Sequence, residues 1–244
     1  MFSIEFFLSE ESNEVKKSLK TIDFNESKLT ISSDIFKDLS KTLKSDVKCF
    51  YKSKEFEFLV INDFKVFVFG HDADGRLGLG NVNYCLNLTE ITDLSGNQIE
   101  EFYEGNNCMF AKSETNCVYS WGKNHHGQLG RGTIDSFFQD MKPKKCDFLS
   151  NKNIIEIICG FDYCLALSSD GKVYGWGCND MGQVGYGEDR EEVLIPILID
   201  FEVPVKYFGC NQKFSFVVDI NGNAFYWGQT SKTIQWKPKR MLTT

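Results

Sequence analysis

The chain has little of what catalysis or metal binding draws on. Of its 244 residues only three are histidine, and two of these, His125 and His126, are neighbours. Adjacent side chains on an extended segment point to opposite sides, so the pair makes a poor metal site and reads as surface loop. The sequence contains no G-x-x-x-x-G-K-[ST] phosphate loop, no nucleophile elbow and no paired Cys/His spacing. Gly78-Leu79-Gly80 runs into Asn81 and is not a dinucleotide fingerprint. No catalytic residue, cofactor or metal is therefore expected, and the chain is expected not to be an enzyme.

Other absences bound the location and the partners. The nine cysteines are odd in number, scattered and without a C-x-x-C pair, a pattern that reads as small buried thiols in a reducing compartment. Met1 to Leu8 is apolar, but it has no basic start, carries Glu5 and is too short for a signal peptide or a membrane span. The expected location is thus intracellular, in the cytoplasm or the nucleus, where the sequons at Asn25 and Asn87 would stay unglycosylated. Clustered basic residues are also lacking: lysines and acids balance up to Glu55, so the net charge of -7 falls on the rest of the chain. An acidic surface does not release counterions from a phosphate backbone, which argues against nucleic acid and anionic membrane as partners. Trp236-Lys237-Pro238-Lys239-Arg240 reads as a solvated basic tail, with a nuclear address as its functional alternative. Glu188 to Glu192 reads as a solvated acidic loop, with docking of a basic partner as the alternative.

What the chain does have is one phrase written four times: Lys65 to Gly70, Cys117 to Gly122, Lys172 to Gly177 and Asn223 to Gly228. Counted from Phe69, Trp121, Trp176 and Trp227, the spacings are 52, 55 and 51 residues. A fixed period of this size marks a repeat architecture. Val173, Gly175 and Gly177 alternate with Tyr174 and Trp176, the two-residue period of a strand with aromatics on one face and small or branched residues on the other. A second strand precedes each phrase, joined by Asp170-Gly171 in one repeat and Asn221-Gly222 in another, which are strong hairpin signals. Three phrases run on into glycine clusters, Gly75 to Gly80, Gly127 to Gly132 and Gly182 to Gly187. The recurrence of Gly70, Gly75, Gly78, Gly122, Gly127, Gly130, Gly177, Gly182, Gly185 and Gly228 predicts structural turn positions beside the aromatic of each repeat.

A W-G strand, then N-x-x-G-Q-L-G-x-G, then Ile154 to Gly160 and a D-G hairpin resembles the repeat of the RCC1 family, and the wording is most like the RCC1-and-BTB-domain proteins. The resemblance runs from about Phe56 to Gly228. It departs at Phe69, which replaces tryptophan, at Asn116 in a hairpin-glycine position, at Asn211 where Gly160 would align, and at Gln229 to Trp236, which lacks the glycine cluster. Weak first and last units are what terminal repeats look like. The resemblance implies an all-β fold, a partial β-propeller of about four four-stranded antiparallel blades, where family members usually close a ring of seven. Four such blades predict an open arc with self-association through its exposed blade edges.

Two regions are expected: an N-terminal helical preface over residues 1–50 and repeats over 51–244. In the preface, Val15, Leu19 and Ile22, then Ile35, Phe36, Leu39 and Leu43, recur at helical spacing and could cap one end of the arc. The resemblance implies a non-catalytic scaffold for protein partners, in a ubiquitin-ligase, BTB-type or trafficking setting. Guanine-nucleotide exchange on a small Ran-like GTPase is the alternative; it needs an inserted wedge, and no extra hairpin interrupts these evenly spaced repeats. A fragment without independent function is the third reading.

Overall fold

The computed structural model describes residues 47–241 except 62–63, 73, 81, 135–139, 188–189 and 232. The helices expected over the preface fall outside the described residues, and so does their capping role. The described chain forms four antiparallel sheets of four strands each, with no helix among the described residues. Blade 1 is β1 (Val47–Lys52), β2 (Phe56–Ile61), β3 (Val66–His71) and β4 (Tyr84–Glu90). Blade 2 is β5 (Ile99–Glu104), β6 (Cys108–Ser113), β7 (Val118–Gly122) and β8 (Lys144–Lys145). Blade 3 is β9 (Ile154–Cys159), β10 (Tyr163–Ser168), β11 (Val173–Cys178) and β12 (Glu192–Ile199). Blade 4 is β13 (Val205–Cys210), β14 (Phe214–Asp219), β15 (Ala224–Gln229) and β16 (Ile234–Arg240). Strand β1 starts at Val47, so the first blade begins inside the segment assigned to the preface.

The four phrases are the third strands β3, β7, β11 and β15, each paired to the strand before it in the same register. Phe56 faces Gly70, Cys108 faces Gly122, Tyr163 faces Gly177 and Phe214 faces Gly228. The hairpins between second and third strands need a left-handed residue. Gly171 and Gly222 supply it at φ +79° and +84°, and Asn116 and Phe64 adopt it at φ +60°. Asparagine tolerates that conformation and phenylalanine does so with strain, which is how the second and first repeats manage without glycine.

The two-residue alternation does not separate core from solvent here. It separates two cores. In β6, Met109 and Ala111 pack with blade 1, while Cys108 and Phe110 pack with blade 3. In β10, Cys164 and Ala166 face blade 2, while Tyr163, Leu165 and Leu167 face blade 4. Blades are stacked on both sides, so β6 and β10 are buried along their whole length. The hydrophobic interior is thus three seams between four blades.

First strands meet in series, β1 with β5, β5 with β9 and β9 with β13, while β1 and β13 have no comparable contact. The described blades therefore make an arc, with its first and last blades unjoined. The basic segment read as a tail is corrected: Lys239 and Arg240 pair with Tyr226 and Phe225, so it is the outer strand of blade 4. Its alternation on an edge strand explains the misreading, since lysine and arginine on an outer strand look like a solvated terminus.

Candidate functional site at the inter-blade seams

Each glycine cluster connects the third strand of a blade to its outer strand and leans on the blade that follows. In the second and third loops an Asn at the start shapes the chain. Asn124 Oδ1 accepts from the Leu129 N–H at 3.1 Å and its Nδ2 donates to the Thr133 carbonyl at 2.9 Å. Asn179 does the same with Val184 at 3.0 Å and Arg190 at 2.9 Å. Gln128 and Gln183 complete the loops by accepting from the N–H groups of His126 at 2.9 Å and Met181 at 2.8 Å.

The loop carbonyls then hold the tryptophan of the next blade. Trp121 Nε1 donates to the Arg76 carbonyl at 2.7 Å, Trp176 to that of Gln128 at 2.7 Å, and Trp227 to that of Gln183 at 2.8 Å. All three indoles are fully buried. A buried indole N–H needs an acceptor, and the preceding repeat provides a backbone one. The glycine two positions after the acceptor allows the approach: a Cβ at Gly78, Gly130 or Gly185 would lie 3.1, 3.0 or 2.8 Å from the indole nitrogen. Gly75, Gly127 and Gly182 face the next outer-strand region instead, where a Cβ would meet Met141, Leu194 and the Gln235 carbonyl. Gly70, Gly122, Gly177 and Gly228 sit against the carbonyls of Glu55, Asn107, Asp162 and Lys213, with φ between +93° and +127°. Phe69, in the tryptophan position of blade 1, is buried and has no N–H to place.

With the backbone clasp common to all seams, the side chains beside it are free to differ. Between blades 1 and 2, Arg76 stands where the others have glutamine. It donates to Asp72 at 2.7–2.9 Å, to Glu104 at 2.7 Å and to Glu55 at 2.6 Å, over the Phe56 ring. Tyr51 and Ser53 also donate to Glu104, at 2.7 and 3.0 Å. Burial opposes the charge on Arg76, but Asp72, Glu104 and Glu55 hold its pKa above the ordinary value. Between blades 3 and 4 the groups are hydroxyls: Ser215 donates to the Gln183 carbonyl at 2.8 Å, and Tyr163 donates to the Phe214 carbonyl at 2.8 Å. Between blades 2 and 3 they are thiols. The sulfurs of Cys108, Cys159 and Cys164 lie within 4.8 Å of one another.

The thiol group was not legible in the sequence, where the nine cysteines read as scattered, buried thiols. The signal was in the register: β9 and β10 place Cys164 opposite Cys159, and Cys108 begins β6 facing the same seam. Recognising it needed knowledge of which blades touch.

The loops and the turns between first and second strands share one rim. Lys123 pairs with Asp74 at 3.1 Å, His126 approaches Glu192 at 3.1 Å, and Gln128 donates to Asp162 at 3.3 Å. Burial raises the Asp162 pKa above the usual carboxylate value. The two histidines therefore sit in a loop beside acidic groups. Residues 188–189 of the acidic run are outside the described residues.

The family description "Regulator of chromosome condensation (RCC1) repeat" matches residues 116–167 and 170–218, and a second description of that repeat matches 154–183. The ultraviolet-B receptor UVR8 of Arabidopsis thaliana is 31% identical over 172 residues, 70% of this chain and 38% of that protein. The E3 ubiquitin-protein ligase HERC2 of Homo sapiens is 32% identical over 126 residues, 52% of this chain and 2% of that protein. Among solved structures, Prp20p of Saccharomyces cerevisiae superimposes with a TM-score of 0.67 at 23% identity, covering 81% of this chain and 51% of that one. The chain thus spans well under half the length of these curated relatives, and the structural likeness speaks for the fold alone. Repeat period, blade topology, the tryptophan clasp and these matches agree, and the chain belongs to the RCC1-repeat proteins.

Proposed function

We propose that the chain is a non-catalytic scaffold that recognises protein partners through the rim formed by its glycine loops and first turns. The observation that carries this reading is the backbone nature of the seams. Because carbonyl, glycine and indole hold the blades together, the rim side chains Lys123, Asp162 and Glu192, whose partners Asp74, Gln128 and His126 lie on the same rim, can serve recognition. The excess of acid beyond Glu55 suits a partner with a basic surface. A ubiquitin-ligase, BTB-type or trafficking setting in the cytoplasm or nucleus fits this role, and the ligase HERC2 carries similar repeats.

Exchange activity on a small Ran-like GTPase is the second reading. The solved structure of Prp20p, described with its binding to Gsp1p and histones, favours it. One set of experiments ranks the two. Proximity labelling with the whole chain and with an Asp162→Lys/Glu192→Lys variant should give partners that the variant loses, while the purified chain leaves nucleotide release from the GTPase unchanged. Partners identical for both forms would sink the rim. A concentration-dependent rise in release rate would promote the exchange reading.

A further inference from the structure

We propose that Cys108, Cys159 and Cys164 form a redox modification site, in which peroxide or a small disulfide oxidises Cys159 and Cys164 to a cross-strand disulfide that Cys108 can then exchange. Cys159 and Cys164 are direct partners in the antiparallel pairing of β9 and β10. The neighbouring pair is closed by the Gly160 N–H donating to the Tyr163 carbonyl at 2.8 Å, which makes Cys159 and Cys164 a non-hydrogen-bonded pair. Such pairs bring their Cα atoms to about 4.5 Å, inside the range a disulfide spans. The two sulfurs stand 2.6 Å apart, a small movement from the ~2.05 Å bond.

The third sulfur comes from the other blade. Cys108 opens β6, and Gly105 leaves the room that it and Cys159 occupy: a Cβ at Gly105 would lie 2.6 Å from the Cys108 sulfur and 3.1 Å from that of Cys159. Hydrogen bonds from the thiols of Cys159 and Cys164 push the Cys108 pKa well down, whereas burial pushes those of Cys159 and Cys164 up. Cys108 is therefore the most readily ionised of the three reduced thiols, and its place within 4.8 Å of both other sulfurs lets it reach the disulfide once formed. Cys159 is the least buried residue of the three, Cys108 and Cys164 being closed off.

The chemistry balances. Two thiols and one hydrogen peroxide give one disulfide and two waters; the peroxide O–O bond takes the two electrons and both thiol protons leave in water. With a small disulfide as oxidant, two small thiols leave instead. Attack of the Cys108 thiolate on the Cys159 sulfur then forms Cys108–Cys159 and releases Cys164 as thiolate, with no net redox change. That exchange moves the bond from within blade 3 to across the seam, tying blade 2 to blade 3.

The test treats the reduced whole chain with one equivalent of hydrogen peroxide, alkylates the remaining thiols and maps the bonds after cleavage at aromatic residues, which cuts at Phe161 and Tyr163 between the two cysteines. Two of the nine thiols should be lost, with peptides linked as Cys159–Cys164 and a fraction as Cys108–Cys159. Cys108→Ser should keep the first link and lose the second; Cys178→Ser should change neither. Loss spread evenly over all nine thiols, or falling first on Cys117 or Cys178, would overturn the proposal. So would protection of all three thiols together by one equivalent of cadmium, which would make the cluster a soft-metal site.

Discussion

Two seams of this molecule solve one packing problem with opposite chemistry. Between blades 1 and 2 the groups beside the clasp are ionic: Arg76 is set among Asp72, Glu104 and Glu55. Between blades 2 and 3 they are neutral or thiol, with Gln128 in the place of Arg76, Asn124 in that of Asp72 and Cys159 in that of Glu104. Register fixes the last equivalence, because Glu104 faces Met109 as Cys159 faces Cys164. The backbone does not distinguish them, since both tryptophans donate at 2.7 Å to the carbonyl of the residue after a glycine. The difference teaches that the fold asks these positions only for shape and polar satisfaction. Arginine satisfies buried carboxylates and glutamine satisfies a loop N–H, and either leaves the clasp intact.

The strongest way to break the comparison is to remove what the seams share. Trp176→Ala should destabilise the protein by about 3–5 kcal/mol, and Trp176→Phe, which keeps an aromatic ring but is smaller and removes the indole donor to the Gln128 carbonyl, by about 1–3 kcal/mol. Denaturant unfolding checks both. A Trp176→Phe protein as stable as wild type would mean that the hydrogen bond contributes nothing beyond burial.

Next comes the ionic seam. Arg76→Gln installs the residue of the other seams but leaves the buried Asp72 carboxylate without its cation, a loss of about 3 kcal/mol. Arg76→Gln with Asp72→Asn recreates the Asn/Gln pair of the neutral loops and should recover much of that loss. A double-mutant cycle reads the coupling; additive effects would show the two residues to be independent.

A smaller effect separates glycines kept for space from glycines kept for conformation. Gly185 and Gly222 share φ values of +82° and +84°, yet a Cβ on the first meets the Trp227 ring at 2.8–3.1 Å and on the second meets nothing within 4 Å. Gly222→Ala should cost about 1–2 kcal/mol for the left-handed backbone alone, and Gly185→Ala measurably more. Equal thermal shifts would remove the packing role assigned to Gly185.

The smallest effect is set by pH. Burial favours the neutral form of Asp140, but Arg131 and Lys144 outweigh it and hold its pKa below the ordinary carboxylate value. A depressed folded pKa gives stability that is present above the unfolded value near ~3.9 and is lost as pH falls through the folded value. Asp140→Asn should therefore lower stability by about 1 kcal/mol at neutral pH and flatten the acid limb of the stability curve below pH ~4. An unchanged acid limb would assign that limb to other carboxylates.

Much of this architecture was legible in the chain itself. The period from Phe69 to Trp227 fixed the blade count, and the D-G and N-G hairpins fixed the second and third strands of two blades, because both signals are local and each repeat writes them again. Strand β1 was missed because Val47 to Lys52 has no counterpart phrase and follows a segment of helical spacing. Strand β16 was missed because the glycine cluster that announces the outer strand elsewhere is absent here, where Thr230 and Thr233 hydrogen-bond to each other instead. The turn positions of the glycines could be anticipated from their recurrence, but not what each of them touches.

Sequence by itself determined the repeat, the hairpin of second and third strands in each blade and the aromatic that each blade offers, since these rest on contacts a few residues apart. Tertiary structure alone decided that both faces of a strand are core, that an indole of one repeat is held by a carbonyl 44 to 48 residues earlier, and that cysteines 108, 159 and 164 meet. The reason is physical: which blade lies against which is set by the summed packing of whole sheets, and no single residue carries that information.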